Sequence, residues 1–400
     1  MSQPIEPEAH RRGLVYLDNA QTTKLDPGIL DVMKEFMVDK YGVPGGEFGY
    51  RLEEEAREAI EQARETICRR INASPEEIIF TSGGTESNNI AIVGSARSNY
   101  AAGKRLVTSK IEHMSVLRTV DRLTRQGFEK TLLDVDQQGF VTAADLKSEL
   151  ADARMVSVQH ANQEVGTLQD LEVIGEICRS RGVLFHCDAV QSFAKEKIDV
   201  QAIKVDLLSM SSHLIHGPKG VGALYVREGV KLQPLLEGDD RERGLRPGTP
   251  NVAGIVGFAK AVELMTHEDS LRMRELRDEL IESLLTISES RLNGPRGNGR
   301  VCNNVNVSFR YVEGEAILMH LDLRGLIVNT GSACYNQRLE PSHVIRALGR
   351  TLEESHGSIR LSLSKWTTKE ELTYATETIK EVVEKLRRLS PLGRKLSAGR

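Results

Sequence analysis

The sequence predicts an α/β protein: a large, mainly parallel sheet covered by helices, with a smaller α+β domain toward the C-terminal end. Three observations predict it. Short β-branched runs recur from about Leu14 to Val226, amphipathic stretches separate them, and beyond about 290 the order changes to strand-like runs and a closing helix. Strands that alternate with helices pair in parallel and are covered on both faces, because each crossover lays its helix on the sheet.

The elements follow in order. IIFT, RLVTS, MVSVQ, VLFHCD, DLLSM and GALYV read as buried strands, and RLEEEAREAIEQARETICRRI carries its apolar residues at helical spacing. A helical segment occupies roughly 255–290. NNVNVSFRY and SIRLSLS then read as strands, and TKEELTYATETIKEVVEKLRRL as the last helix. We place a large domain at 14–260, and a small domain at 261–400 together with an N-terminal arm, 1–13. The 400 residues, 40% hydrophobic, are ample for two cores.

The 53 basic and 57 acidic residues are spread along the chain, so no basic face points to nucleic acid. No apolar run approaches the roughly 20 residues that span a bilayer, and the polar start MSQPIEPEAHRRG has no signal-peptide core. A cytoplasmic protein without membrane or nucleic-acid partners is expected. Of the five cysteines, Cys68, Cys178, Cys187 and Cys302 sit in helix-like or strand-like text and read as packing residues. Cys334 stands apart in NTGSACYNQ, among small residues without periodicity, where a thiol is accessible.

IIFTSGGTESNNIAI runs a strand into Ser82-Gly83-Gly84-Thr85 and then a helix, leaving backbone N–H groups free for an anion such as phosphate. His113, Asp188 and Gln191, and the run SMSSHLIHGPKG, also follow strands, and ligands of open α/β sheets bind at those ends. An aromatic stacking base, a carboxylate and polar side chains are what a pyridoxal ring requires.

From YLDNAQTT through TSGGTESNN, IEH, HCDAVQ, GPKGVGALYVR, ERGLRPGT, YVEGE, TGSAC, LEPSHVIRALG and SIRLSLS to LSPL, the text resembles the cysteine desulfurases of the IscS/NifS type. These belong to the class V, fold-type I aminotransferases that use pyridoxal phosphate (PLP). The resemblance implies a homodimer in which His113 stacks on the pyridine ring, Asp188 pairs with its nitrogen and Gln191 reaches its phenolate oxygen. It implies that Gly84, Thr85, Ser211 and His213 hold the phosphate, helped by Thr249 of the other subunit, and that Arg360 binds the substrate carboxylate. Cys334 would carry sulfur as a persulfide.

The pattern breaks at one position. The family's Ser-x-His is followed by the lysine that forms the Schiff base, and here that residue is Leu214; Lys219 belongs to the separate GPKG motif. A leucine can neither form an imine nor shuttle a proton, which puts PLP as a cofactor in doubt. The cofactor-contacting Asn of Asn-Asn-Glu is Gln163, the Asn-Pro-Ser-Ser loop has become Val43-Pro44-Gly45-Gly46, and Gly-Gly-Gly-x-Glu has become Gly238-Asp239-Asp240-Arg241-Glu242. Two added carboxylates would oppose a phosphate nearby. The expected function is therefore iron–sulfur cluster assembly with an IscU-type scaffold protein, Cys334 acting as persulfide carrier or as a ligand of a shared cluster. The alternatives are an active PLP-dependent desulfurase and a regulatory subunit of a lysine-bearing paralogue.

Overall fold

The computed structural model describes residues 13–45, 49–98, 103–330 and 342–389. Cys334 and its neighbours therefore lie outside the described residues. A seven-stranded sheet organises the chain, in the order β2-β8-β7-β6-β5-β3-β4. Its strands are β2 (Ile78–Thr81), β3 (Arg105–Ser109), β4 (Glu129–Leu133), β5 (Ala153–Ser157), β6 (Leu184–Asp188), β7 (Leu207–Ser211) and β8 (Gly222–Val226).

The run β7-β6-β5-β3-β4 is parallel, and β8 lies antiparallel to both β7 and β2. Thus β2 points the same way as β7, and its C-terminal end opens on the same edge of the sheet. β6, β7 and β8 are buried along their whole length, which explains their continuous apolar runs. β4 has no sequence signal of that kind, because it is an outer strand whose first residues, Glu129 and Lys130, face water.

The helix Arg51–Arg70 buries Ala56, Ile60, Ala63 and Ile67 on one stripe. It has Glu53 and Glu54 in its first turn and Arg69 and Arg70 in its last, the arrangement the helix dipole favours. It packs against the helix Val252–Leu264. Beyond these helices, β10 (Asn304–Phe309) is flanked by β9 (Ser290–Leu292) and β12 (Ser358–Ser362) in a three-stranded antiparallel sheet. The first strand, β1 (Val15–Tyr16), pairs in parallel with β11 (Leu326–Ile327), so the start of the described chain is stitched to its C-terminal half. The four described cysteines are buried, as their packing context suggests. Among the described residues no helix is long and apolar enough to cross a membrane, and no group of three or more potential metal ligands forms.

Candidate active site

The parallel strands deliver polar residues to one edge. Asp188 ends β6 and is buried; its Oδ1 accepts from the Val190 N–H at 3.0 Å and its Oδ2 from Asn88 Nδ2 at 2.7 Å. Both donors are neutral, so burial raises the carboxyl's pKa, partly countered by His113. A buried carboxylate held by neutral donors suits a cationic ring nitrogen. Asn88 Nδ2 also donates to Ser115 Oγ at 2.8 Å, which lies 2.8 Å from His113 Nδ1, so His113 and Asp188 belong to one polar chain. His113 caps the helix Met114–Thr124 by accepting from the Ser115 N–H.

The turn after β2 is built for close approach. Gly83 adopts φ +145°, open only to glycine, and a Cβ on Gly84 would stand 2.4 Å from Val190 Cγ2. Gly83 offers the helix Gly84–Arg97 no side-chain cap, which leaves the first-turn N–H groups of Gly84 and Thr85 without a side-chain acceptor. Ser211, at the end of β7, is fully buried with its Oγ unpaired. A Cβ at Gly83 would lie 3.8 Å from that oxygen. An orphaned hydroxyl beside a glycine-lined helix start is what a phosphate monoester would complete.

Gln191 Nε2 donates to Ala20 O at 2.9 Å, and His213 Nδ1 lies 3.3 Å from Thr22 Oγ1, so the 16–23 segment closes over the site. Arg360, in β12, donates to Gln163 O at 3.1 Å and to Asp18 Oδ1 at 2.5 Å, while its buried Nε has no partner. Asp18 Oδ2 in turn accepts from Asn329 Nδ2 at 2.9 Å. Thr249 sits on an exposed loop. Asp239 differs from the expectation of free negative charge: it pairs with Arg241 at 2.6 Å and accepts from the Gly248 N–H at 3.1 Å, so its own loop engages it.

Leu214 stands where the resemblance places a lysine. It is only 3% exposed, yet it joins none of the three apolar clusters, whereas its neighbour Ile215 belongs to the main core. Lys219 is exposed, and Lys195 holds a buried Nζ without a hydrogen-bond partner, its pKa pushed down to about 8 by burial. The donor set thus fits the ring and the phosphate of PLP.

Residues 15–374 match the family described as aminotransferase class-V. The chain belongs to that family. It is 48% identical over 384 residues to the cysteine desulfurase IscS of Dictyoglomus turgidum, covering 94% of this chain and 96% of the relative. It is 45% identical over 382 residues to the cysteine desulfurase IscS of Methanosarcina thermophila, with 94% of each covered. A solved NifS-like protein superposes with a TM-score of 0.86 at 35% identity, covering 93% of this chain and all of that one. Within class V the chain is therefore of the IscS/NifS cysteine desulfurase type, with the fold-type I architecture.

Sequence reasoning passed over Asn88, Ser115 and Asp18, which orient its candidates, although Asn88 lies inside the quoted TSGGTESNN. It also missed two buried carboxyls beside the site. Burial pushes Glu112 up to about 8, even with Ser109 Oγ donating to it at 2.5 Å, and Glu164 up to about 7. Burial also pushes His160, His213 and His216 down to about 4, and His186 to about 3.

The two sets act oppositely on stability. The raised carboxyls bind protons more tightly when folded, so what they contribute is lost as pH rises from the ordinary carboxyl range through about 7 to 8. The depressed histidines contribute stability that is present above about pH 6.5 and lost as pH falls toward 3 to 4. Below that crossing the four histidines make stability climb with pH faster than the two carboxyls lower it, and above it the histidine contribution is constant, so only the carboxyl decline remains. The melting temperature is expected to peak near about pH 6.5, and Glu112→Gln to flatten the alkaline decline. A monotonic rise through pH 8 would contradict the assignment.

Proposed function

We propose that this chain serves iron–sulfur cluster assembly as a cysteine desulfurase-type homodimer that keeps a non-covalent grip on PLP and has lost normal desulfuration. Cys334 would meet a docked scaffold protein of the IscU type, either as the thiolate ligand of a nascent cluster or by taking the outer sulfur of a persulfide donor, whose thiol is released, and passing that sulfur on. The observation that carries the reading is Leu214, a buried apolar side chain outside the three apolar clusters, at the position where the resemblance places a lysine. When bound, PLP supplies an electron sink for chemistry at an amino acid's α-carbon. Here Asp188 would hold the ring nitrogen, His113 and Gln191 the ring, and Gly84, Thr85, Ser211 and His213 the phosphate, with Thr249 from the partner subunit. Arg360, oriented by Asp18, would take the substrate carboxylate.

A second reading, active PLP-dependent desulfuration of L-cysteine, draws support from that same intact donor set. The test is the visible spectrum of the purified protein before and after PLP and cysteine are added, followed by borohydride reduction and peptide mapping. No lysine-linked band and no pyridoxyl-lysine peptide are expected. A pyridoxyl adduct on any lysine, Lys195 first among them, would overturn the leading reading.

A further inference from the structure

A pair of charged residues outside the candidate site grips the phosphate turn from behind. β2 pairs on one side with β8, and among the described residues its other side has no strand beside it. Two side chains supply the missing hydrogen bonds: Arg64 donates to Ile78 O at 2.6 Å, and Glu242 accepts from the Phe80 N–H at 2.7 Å. Arg64 and Glu242 also bind each other through two contacts of 2.9 Å, with side chains only 11% and 10% exposed. The Arg64 guanidinium lies 4.8 Å over the Phe80 ring. Two residues beyond Phe80 the phosphate turn begins.

The same loop holds the turn from its far side. Arg246 Nε donates to Glu86 Oε1 at 3.4 Å, and Glu86 Oε2 accepts from the Ser82 N–H. Glu242 and Arg243 adopt φ of 47° and 57°, consecutive left-handed conformations that non-glycine residues avoid unless surrounding contacts enforce them. Arg64, Ser82, Glu242, Arg246, Gly248 and Asn251 enclose a cavity of ≈ 190 Å³ between this loop and the turn. The strained backbone is what brings the Glu242 carboxylate to the edge of β2.

We infer that Glu242, together with Arg64, is a positioning residue for phosphate recognition. The pair fixes the end of β2, and so the direction in which the Gly84 and Thr85 N–H groups point, without touching the ligand. Bidentate arginine–carboxylate pairs define orientation as well as strength, which suits that role. The inference rests on the reading that the turn holds the phosphate of PLP.

The experiment measures binding of PLP and of pyridoxal, which lacks the phosphate, to the full-length wild type, Glu242→Gln and Arg64→Lys, alongside amide exchange of peptides covering 78–86 and 243–251. PLP is expected to bind at least about tenfold more weakly to each variant and pyridoxal nearly unchanged, with faster exchange in both peptides. Equal weakening of the two ligands would overturn the inference, since general loosening has no preference for a phosphate. Arg64→Lys keeps the charge while removing the guanidinium's forked contacts to Glu242 and its further bonds to Ile78 O and Glu61, so it remains informative if Glu242→Gln folds poorly. If the wild type does not distinguish PLP from pyridoxal, the phosphate reading fails by itself. Exchange at 78–86 then decides the positioning, and a wild-type rate in both variants overturns it.

Discussion

Leu214→Lys is expected to acquire a borohydride-reducible adduct at residue 214 on incubation with excess PLP, where the wild type acquires none. The position is buried, and burial lowers a lysine's pKa, so the new amine would be largely neutral and nucleophilic. Asp188, Ser211 and the open first turn at Gly84 are already formed. Sulfide release from cysteine should rise by roughly 10²-fold or more, the usual worth of a positioned acid–base group. It should still fall short of a family-like rate, because Gln163 stands where the resemblance places the shorter asparagine. Asp239 is a weaker obstacle than its charge suggests, being paired with Arg241. A wild type that turns over at about 1 s⁻¹ or faster would show that no lysine is needed and would make desulfuration the function.

The sheet and its site-bearing edge were legible in the sequence because central strands buried on both faces are written as unbroken apolar runs. Asp188 and Ser211 follow from this, since each closes such a run and parallel strands end together. Edge elements left little trace. Glu129–Leu133 does not alternate because its first residues are exposed and its last is buried, and Val15–Tyr16 is strand only through a partner more than 300 residues away. Residues that orient the site were hidden for a similar reason. Nothing local links Asp18 to Arg360, or Arg64 to Glu242; only folding brings these charges together in a low-dielectric setting where their pairing has consequence. Leu214 stands out in sequence for another reason: the resemblance places a lysine there, and a leucine is a change of chemistry inside a motif rather than of packing.

Cys334→Ala is expected to abolish the protein's part in cluster assembly while leaving its fold nearly untouched. The other four thiols cannot substitute. Burial pushes Cys178 and Cys302 up to about 12 and raises Cys68 and Cys187 as well, so none of them supplies the thiolate that carries sulfur or binds iron. The Gly331-Ser332-Ala333 text before Cys334 has no apolar periodicity, and a substitution in such a setting usually costs under about 0.5 kcal/mol. Dimerisation and binding of a scaffold protein should therefore match the wild type. Anaerobic reconstitution on the mixed complex, followed by absorbance and iron content, separates the outcomes: a cluster that forms and persists only with Cys334 present supports a carrier or ligand role. Equal yield and equal lifetime with Cys334→Ala would reduce the chain to a docking platform, because both chemical routes proposed for it require that sulfur atom.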